Sequence, residues 1–431
     1  MTNHELLQLL RSEVIPAIGC TEPIAVALCT ARAKELLGAE PDTITVHLSK
    51  NVYKNALAVG IPNTGMTGLP IAIALGATVG KSEYMLEVLR EATPEAVAYA
   101  KEYMLRVPAT IKVDYDAPSL LYIHVEVSKN TLSAQATIME EHTHFVENLS
   151  DEIQKLKCNE SQKALGNDLS LQRVYDFATG IETSNLEFLL EGAQMNTAAA
   201  ETSFAEQYGH GLGRLLRANT LNATPEMEKL FGNTLFTKII SYTCGACDAR
   251  MSGAMVQVMS NSGSGNQGIS CSIPVYLYAK ENNCSEEQTL RALALSNLTV
   301  IYIKQSLGRL SALCGCVVAA TGSAAGITYL MGGTYDEITY AIKNMIANIS
   351  GMICDGAKPG CALKVTSGVA TAIFSAYLAM QHSYADSTEG IVEDDIDRTI
   401  RNLTRIGHDG MKVTDDLILD IMMHKQQVNN Q

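Results

Sequence analysis

The chain has 431 residues, of which 47% are hydrophobic and 18% charged, so a large buried interior is expected and extensive disorder is excluded. Its formal net charge of −14 argues against nucleic acid and anionic membranes as partners and leaves small solutes as the natural ligands. Eleven cysteines are too few for a disulfide scaffold, and the first residues read as an amphipathic helix rather than a secretory signal, which predicts reduced thiols in the cytoplasm.

The first third of the chain alternates helix and strand patterns. Apolar residues at helical spacing predict helices at 3–12 and 23–37. Alternating and β-branched residues predict strands at 43–49, 111–115, 121–127 and 131–139. Asn130 lies between the last two strands and indicates a hairpin turn. We therefore predict an α+β domain over residues 1–155, with a polar linker at 148–166.

Helical patterns dominate the rest of the chain. The predicted segments are 170–200, 205–220, 226–258, 285–299, 312–330, 336–350 and 362–383. The uncharged run 310–334 has the length of a membrane span, but its Gly, Ala, Ser and Thr content favours a buried helix. The expected fold class is thus α+β, with a small mixed sheet in the first domain and a larger all-α domain over 156–431.

Three cysteines lie in glycine-rich, nearly uncharged segments. They are Cys314, Cys354 and Cys361. Thiolates packed among glycines are typical of sites for a soft metal or an iron–sulfur cluster. Three ligands are one short of saturating a [4Fe–4S] cluster, and an iron with an open position acts as a Lewis acid. The pattern therefore favours chemistry over electron transfer.

A fourth cysteine, Cys20, lies just before a predicted helix that Pro23 is suited to open. Unpaired N–H groups and the helix dipole at such a position favour a thiolate. The alternative is a small buried cysteine, with Thr21 capping the helix.

A loop of hydroxyls, amides and glycines runs from Ser260 to Gly268. Its donor-rich residues are Ser262, Gly263, Ser264, Asn266 and Gln267. Such a loop is suited to hold a carboxylate, and it lacks the Gly-Lys-[Ser/Thr] ending of a nucleotide-binding loop. The alternative is a flexible surface loop.

Other polar residues give weaker patterns. Cys244 and Cys247 form a Cys-x-x-Cys pair that is read as two reduced helix thiols rather than a redox or zinc site. His142 and His144 are predicted to share a solvated strand face. Lys304 is a cation in an apolar segment, suited to hold a carboxylate, to tune cluster charge or to snorkel to the surface.

Together these features resemble the L-cysteine desulfidase family, itself similar to the iron–sulfur-dependent L-serine dehydratases and their alpha chain. The resemblance covers essentially the whole chain. The motifs that carry it are Gly19-Cys-Thr-Glu-Pro23, Ser49-Lys-Asn-Val-Tyr-Lys-Asn55, Ser262-Gly-Ser-Gly-Asn-Gln-Gly268, Ser311-Ala-Leu-Cys-Gly-Cys316 and the pair Cys354/Cys361.

The resemblance implies α,β-elimination of L-cysteine to sulfide, ammonia and pyruvate. It implies a [4Fe–4S] cluster, one per chain, held by Cys314, Cys354 and Cys361, with no pyridoxal phosphate. Cys20 is the implied base. Substrate-binding positions would be Thr21, Asn55, Ser262, Gly263, Ser264, Asn266 and Gln267. A homodimer is expected from the Gly/Ala-rich apolar helices.

Several alternatives stay open. The related dehydratases carry a tail cysteine that resembles a fourth cluster ligand, but no cysteine follows Cys361 here, so Cys20 is either the base or that ligand. An L-serine dehydratase would need the same site. Other classes of function also stay open. They are a non-catalytic iron–sulfur or zinc protein that acts as a redox sensor, and an amino-acid-binding protein without turnover.

Overall fold

A computed structural model describes residues 1–153, 169–222 and 224–429. Its small sheet and larger helical part confirm the predicted α+β class. The linker predicted at 148–166 falls largely outside the described residues, as does Cys158. The division into domains at residue 155 therefore stays a prediction.

The strands form one four-stranded sheet and one short pair. They are β1 (Pro16–Ile18), β2 (Thr43–Ser49), β3 (Thr110–Asp114), β4 (Tyr122–Lys129), β5 (Leu132–Met139) and β6 (Gln257–Met259). The larger sheet has the order β3-β2-β4-β5, with β2 parallel to β3 and the other pairs antiparallel. Asn130, with φ of 53°, turns β4 into β5 as the sequence predicts.

The helices of the first part differ in what they pack against. They are α1 (Asn3–Glu13), α2 (Thr21–Leu37), α3 (Lys50–Ala56), α4 (Leu69–Thr78) and α5 (Pro94–Arg106). Of these, α2 packs on β4 and β5 of this sheet, and α1 packs on the helical part of the chain. In β2 the side chains of Ile44, Val46 and Leu48 alternate inward and are buried with the apolar residues of α2. The α2 helix ends at Gly38, whose left-handed conformation closes its last turn.

The second part is helical. Its helices are α6 (Leu171–Gly180), α7 (Glu187–Ala205), α8 (Leu212–Asn222), α9 (Pro225–Leu230), α10 (Leu235–Met251), α11 (Gly265–Glu281), α12 (Glu286–Leu307), α13 (Gly315–Leu330), α14 (Tyr335–Ile349), α15 (Cys361–Met380), α16 (Ile396–Arg405) and α17 (Lys412–Asn429). The uncharged run forms the buried helix α13. This helix approaches α12 closely at Gly322, where a Cβ atom would lie 2.5 Å from the Ser296 carbonyl oxygen.

Several elements differ from the sequence prediction. The segment 170–200 holds two helices, α6 and α7, joined by a short 3₁₀ turn. The helices α3, α5, α11, α16 and α17 were not predicted, and the predicted helical segment 226–258 holds α9, α10 and the start of β6. In the described part of the chain, α15 is long and apolar enough to cross a membrane. The core helices of proteins that do not span membranes share this length and composition, so the helix by itself does not indicate a membrane span.

The short pair β1–β6 positions the candidate site. Pro16 lies opposite Met259 in the antiparallel register, so the chain before Cys20 runs beside the chain before Ser262. The backbone N–H of Ser260 donates to the Ile15 carbonyl at 2.8 Å. Two segments more than 200 residues apart in sequence are therefore joined at this point.

Candidate functional site

The three predicted ligand cysteines lie on adjoining backbone segments. Cys314 is the N-cap of α13, and Cys361 is the first residue of α15. A short bridge joins the segment of Cys314 to that of Cys354: the Cys314 N–H donates to the Met352 carbonyl at 3.0 Å and the Cys354 N–H to the Ala312 carbonyl at 2.7 Å. The fold thus brings together residues 40 or more positions apart.

These thiols are free and influence one another. A hydrogen bond with the neighbouring Cys316 thiol lowers the pKa of Cys314 to about 7. Burial raises the pKa of Cys361 to about 11, and the charges of Cys354 and Cys314 add to the effect. Burial also raises the pKa of Cys354, against the opposing charge of Lys54. Charges on these cysteines therefore influence one another's protonation.

Among the described residues no group of three His, Cys, Asp or Glu side chains is placed to hold one metal ion. Cysteine thiolates are the ligands that iron–sulfur clusters use, each thiolate binding its own iron atom. Cys314 and Cys361 begin helices, where the positive end of the dipole stabilises thiolates and an anionic cluster. The chemistry of the donor set therefore fits an iron–sulfur group.

A second group of polar residues surrounds Cys20 at the start of α2. The carboxylate of Glu22 is buried and accepts three hydrogen bonds. Cys20 Sγ donates to Oε2 at 3.2 Å, Thr21 Oγ1 to Oε2 at 3.1 Å and Asn55 Nδ2 to Oε1 at 3.1 Å. The predicted residues Cys20, Thr21 and Asn55 thus meet at a carboxylate that was not predicted.

The protonation of Cys20 differs from the prediction. Burial and the negative charge of Glu22 raise its pKa well above the usual value, so the expected lowering at the helix end is wrong. Burial alone would raise the pKa of Glu22 too, but His142, the Cys20 thiol and Arg250 outweigh it and hold that pKa below its usual value. The resting pair is therefore a neutral thiol donating to an ionised carboxylate.

His142 also lies at this pocket. The prediction of a solvated strand face is wrong, because β5 ends at Met139 and His142 is only 4% exposed. Neither ring nitrogen has a hydrogen-bond partner in the described chain. Burial lowers the pKa of His142 to about 4 against the opposing charge of Glu22. The ring is therefore neutral and free to bond a ligand, whereas His144 is exposed.

The donor-rich loop is part of the interior rather than a flexible surface loop. Ser262 and Gly263 take positive φ values of 48° and 75°, and the Ser262 N–H donates to the Glu13 carbonyl at 3.1 Å. A Cβ on Gly263 would lie 2.8 Å from the His142 ring, so the loop packs directly on that histidine. Ser264 then caps α11 without a side-chain bond, and Gln267 Oε1 is buried without a partner in the described residues.

The thiol group and the polar pocket adjoin each other. In α3, Asn55 bonds Glu22 while the preceding Lys54 donates to the Cys354 carbonyl at 3.5 Å. On the opposite side, Gln267 of α11 lies against Gly315, the residue after Cys314: a Cβ there would be 3.3 Å from the Gln267 side chain. These contacts connect the residues around Cys20 and the residue Gln267 with the segments of Cys314 and Cys354.

The remaining weaker sequence candidates are buried in the helical part of the chain. Cys244 and Cys247 are buried free thiols in α10, as predicted. Lys304 is buried and donates to the Arg309 carbonyl at 2.8 Å rather than reaching the surface. The residues that sequence reasoning missed are Glu22, Lys54, Arg250 and Asp415, and His142 was singled out but assigned to a solvated face. Glu22 and Lys54 lie inside motifs already singled out, whereas Arg250 and Asp415 carry no local pattern.

Comparison with known proteins gives matches over nearly the whole chain. A family model described as "Serine dehydratase alpha chain" matches residues 83–420. A UPF0597 protein of Phocaeicola vulgatus is 56% identical over 429 residues, 98% of each chain. One of Bacteroides thetaiotaomicron is 55% identical over 425 residues, again 98% of each. One of Aeromonas hydrophila is 40% identical over 436 residues, 98% of this chain and 97% of the relative.

Proposed function

Because the chain belongs to the family of the serine dehydratase alpha chain, we propose that it is an iron–sulfur-dependent lyase that eliminates sulfide from L-cysteine. The aminoacrylate formed would hydrolyse to pyruvate and ammonia. The observation that carries this proposal is the meeting of three free thiols, Cys314, Cys354 and Cys361, with a buried thiol–carboxylate pair. A [4Fe–4S] cluster on these thiols would supply a Lewis-acidic iron for the departing sulfur.

Several residues of the polar cluster around Cys20 would take part in the proton transfer. Glu22 stays ionised at neutral pH and accepts the hydrogen bond of the Cys20 thiol at Oε2. The α-proton of the substrate would pass to Cys20 Sγ as the thiol proton passes to Glu22, so no free thiolate has to form against the raised pKa of Cys20. The neutral His142, on the loop side of Glu22, is a second group able to accept or return a proton.

The loop and the helix start hold the substrate. Gln267 offers a buried side-chain oxygen without a partner, and Asn55 offers a second one at Oδ1. These acceptors suit a substrate ammonium group, because buried acceptors are stable only when they are hydrogen-bonded. The helices α3 and α11 contact both the residues around Cys20 and the segments of the ligand cysteines. They would therefore orient the bound substrate between Cys20 and those cysteines.

The family description favours L-serine as a second candidate substrate. L-serine differs from L-cysteine only in its leaving group, hydroxide instead of sulfide, and the same proton transfers apply. We propose L-cysteine first, because the similarity to the desulfidases extends to the Cys20 motif.

The test is anaerobic reconstitution with iron and sulfide, followed by measurement of pyruvate from L-cysteine and L-serine. Wild-type protein is expected to form pyruvate from L-cysteine, and Cys354→Ser to lose both the cluster absorbance and the activity. Cys284→Ser, a half-buried thiol at the turn between α11 and α12, is the matched control and should retain both. Turnover of L-serine alone would move the assignment to a dehydratase. A loaded cluster with no pyruvate from either substrate would refute the lyase.

A further inference from the structure

Arg250 is a buried cation with unused hydrogen bonds. It lies in the last turn of α10 and is 1% exposed. Its Nη1 donates to Asn266 Oδ1 at 3.0 Å, but Nε and Nη2 have no partner in the described chain. Burying a guanidinium with open donors is costly, and native proteins rarely leave such groups unpaired. The unmet donors indicate a missing acceptor.

The two open donors share one edge of the guanidinium. Nε–H and one Nη2–H point in parallel, which is the fork that binds both oxygens of a carboxylate. The opposite edge is occupied by Asn266. The expected ligand is therefore a planar anion rather than a lone oxygen.

A helix N-terminus lies against the same group. A Cβ on Gly265, the first residue of α11, would lie 2.3 Å from Arg250 Nε, so the guanidinium packs directly on the helix start and requires glycine there. The first N–H groups of a helix have no intrahelical partners, and its dipole favours anions. Two independent features thus favour negative charge at one place.

No carboxylate of the described chain fills this role. The charge of Arg250 helps to lower the pKa of Glu22, but the hydrogen bonds to that carboxylate come from Cys20, Thr21 and Asn55. Arg250 therefore balances the charge of Glu22 through space while its own fork stays open.

We propose that Arg250, together with the first turn of α11, binds the α-carboxylate of an amino-acid substrate. This assignment rests on the proposed function and adds its specificity: a ligand without a carboxylate leaves the fork unpaired and is rejected. Because Arg250 also acts electrostatically on Cys20, a carboxylate bound there is held near the proposed base.

The test compares carboxylates with carboxamides. Binding of L-cysteine, L-serine, L-cysteinamide and L-serinamide is measured by calorimetry on the full-length chain, before and after reconstitution with iron and sulfide. Wild-type protein should prefer each acid to its amide. In Arg250→Gln the affinity for the acids should fall on the order of 10- to 100-fold, the range for hydrogen bonds to charged groups, while amide binding changes little.

Two further variants separate recognition from folding. Gly265→Ala keeps the arginine but displaces the guanidinium, so it should reproduce the loss for acids even if Arg250→Gln is unstable. Arg291→Gln removes an arginine that bonds the Ala178 and Ile181 carbonyls away from the site, and it should keep the preference for acids.

Equal losses for acids and amides in Arg250→Gln, or a wild-type chain without preference for acids, would overturn the assignment. The outcome is separate from that of the lyase proposal, because binding requires no turnover. A chain that prefers acids through Arg250 but forms no pyruvate would refute the lyase and leave the carboxylate site in place.

Discussion

Two buried polar regions of this protein have opposite hydrogen-bond patterns. At the junction of α3 and α17, Lys54 forms an ion pair with Asp415, whose other oxygen accepts from Asn51. In the polar cluster around the start of α2, Arg250 and His142 are as deeply buried but have side-chain nitrogens without a partner in the described residues. The cation of the first region is paired with a carboxylate of the chain, whereas Arg250 of the second has two donors without a partner in the part of the chain that the structure describes.

This difference distinguishes buried groups that stabilise the fold from buried groups that are available to bind a ligand. A buried charge whose partner lies in the same chain stabilises one arrangement of helices, and its loss exposes the partner to an apolar interior. A buried group held open by its surroundings keeps a hydrogen bond available for a ligand at some cost in stability. The comparison predicts that changes at the junction affect stability first, whereas changes in the pocket affect ligand chemistry first.

The largest effect on stability is expected from Lys54→Met. It removes the partner of a buried Asp415 and should lower the free energy of unfolding by about 3–5 kcal/mol. Urea unfolding of the chain without iron measures this change. Lys50→Met is the matched control, because its partner Asp416 is 55% exposed, and it should cost less than about 1 kcal/mol.

A loss in Lys54→Met no larger than that in the control would show that the junction does not depend on its ion pair. The double variant Lys54→Met/Asp415→Leu sharpens the test. It removes both charges together and should recover part of the stability lost by the single variant.

The second prediction concerns pH and His142. Its pKa is about 4 in the folded chain against 6.5 for the free side chain. The unfolded chain therefore binds more protons between these values, so His142 leaves stability unchanged above pH 6.5 and lowers it progressively as the pH falls toward 4. The full difference corresponds to roughly 3 kcal/mol at 1.36 kcal/mol per pKa unit.

In His142→Phe the decline of stability between pH 6.5 and 4 should be shallower than in wild type, measured by thermal unfolding across that range. At pH 7.5 the two proteins should be nearly equally stable, because the ring has no hydrogen bond to lose. Parallel curves for the two proteins would contradict the burial of a neutral ring.

The smallest effect is expected at the rim of the pocket. Arg309 pairs with Glu13 at 2.7 Å and with Glu141 at 3.1 Å, and Glu141 is 57% exposed. Glu141→Gln should change the free energy of unfolding by less than about 1 kcal/mol, and this change should shrink in high salt. A large, salt-independent loss of unfolding free energy would instead show that Glu141 stabilises the fold in the way that the Lys54–Asp415 pair does.

Local patterns predicted much of the fold. Alternation in residues 43–49 and 121–139 gave the sheet strands, and the Gly/Ala-rich run 310–334 gave the buried α13. They failed where pairing is long-range: β1 and β6 are three residues each, too short for a periodic signal, and form only because they meet. The helix α11 was hidden because its first turn reads as a glycine-rich loop.

The sequence by itself determined which residue types are available for the site: Cys20 before a helix, the donor-rich loop, and Cys314, Cys354 and Cys361 among glycines. Only the tertiary structure decided their state. Burial and Glu22 raise the pKa of Cys20, and His142 and Arg250 join from other segments. The physical reason is that desolvation and partner charges depend on distances across the fold, whereas spacing along the chain reports only local geometry.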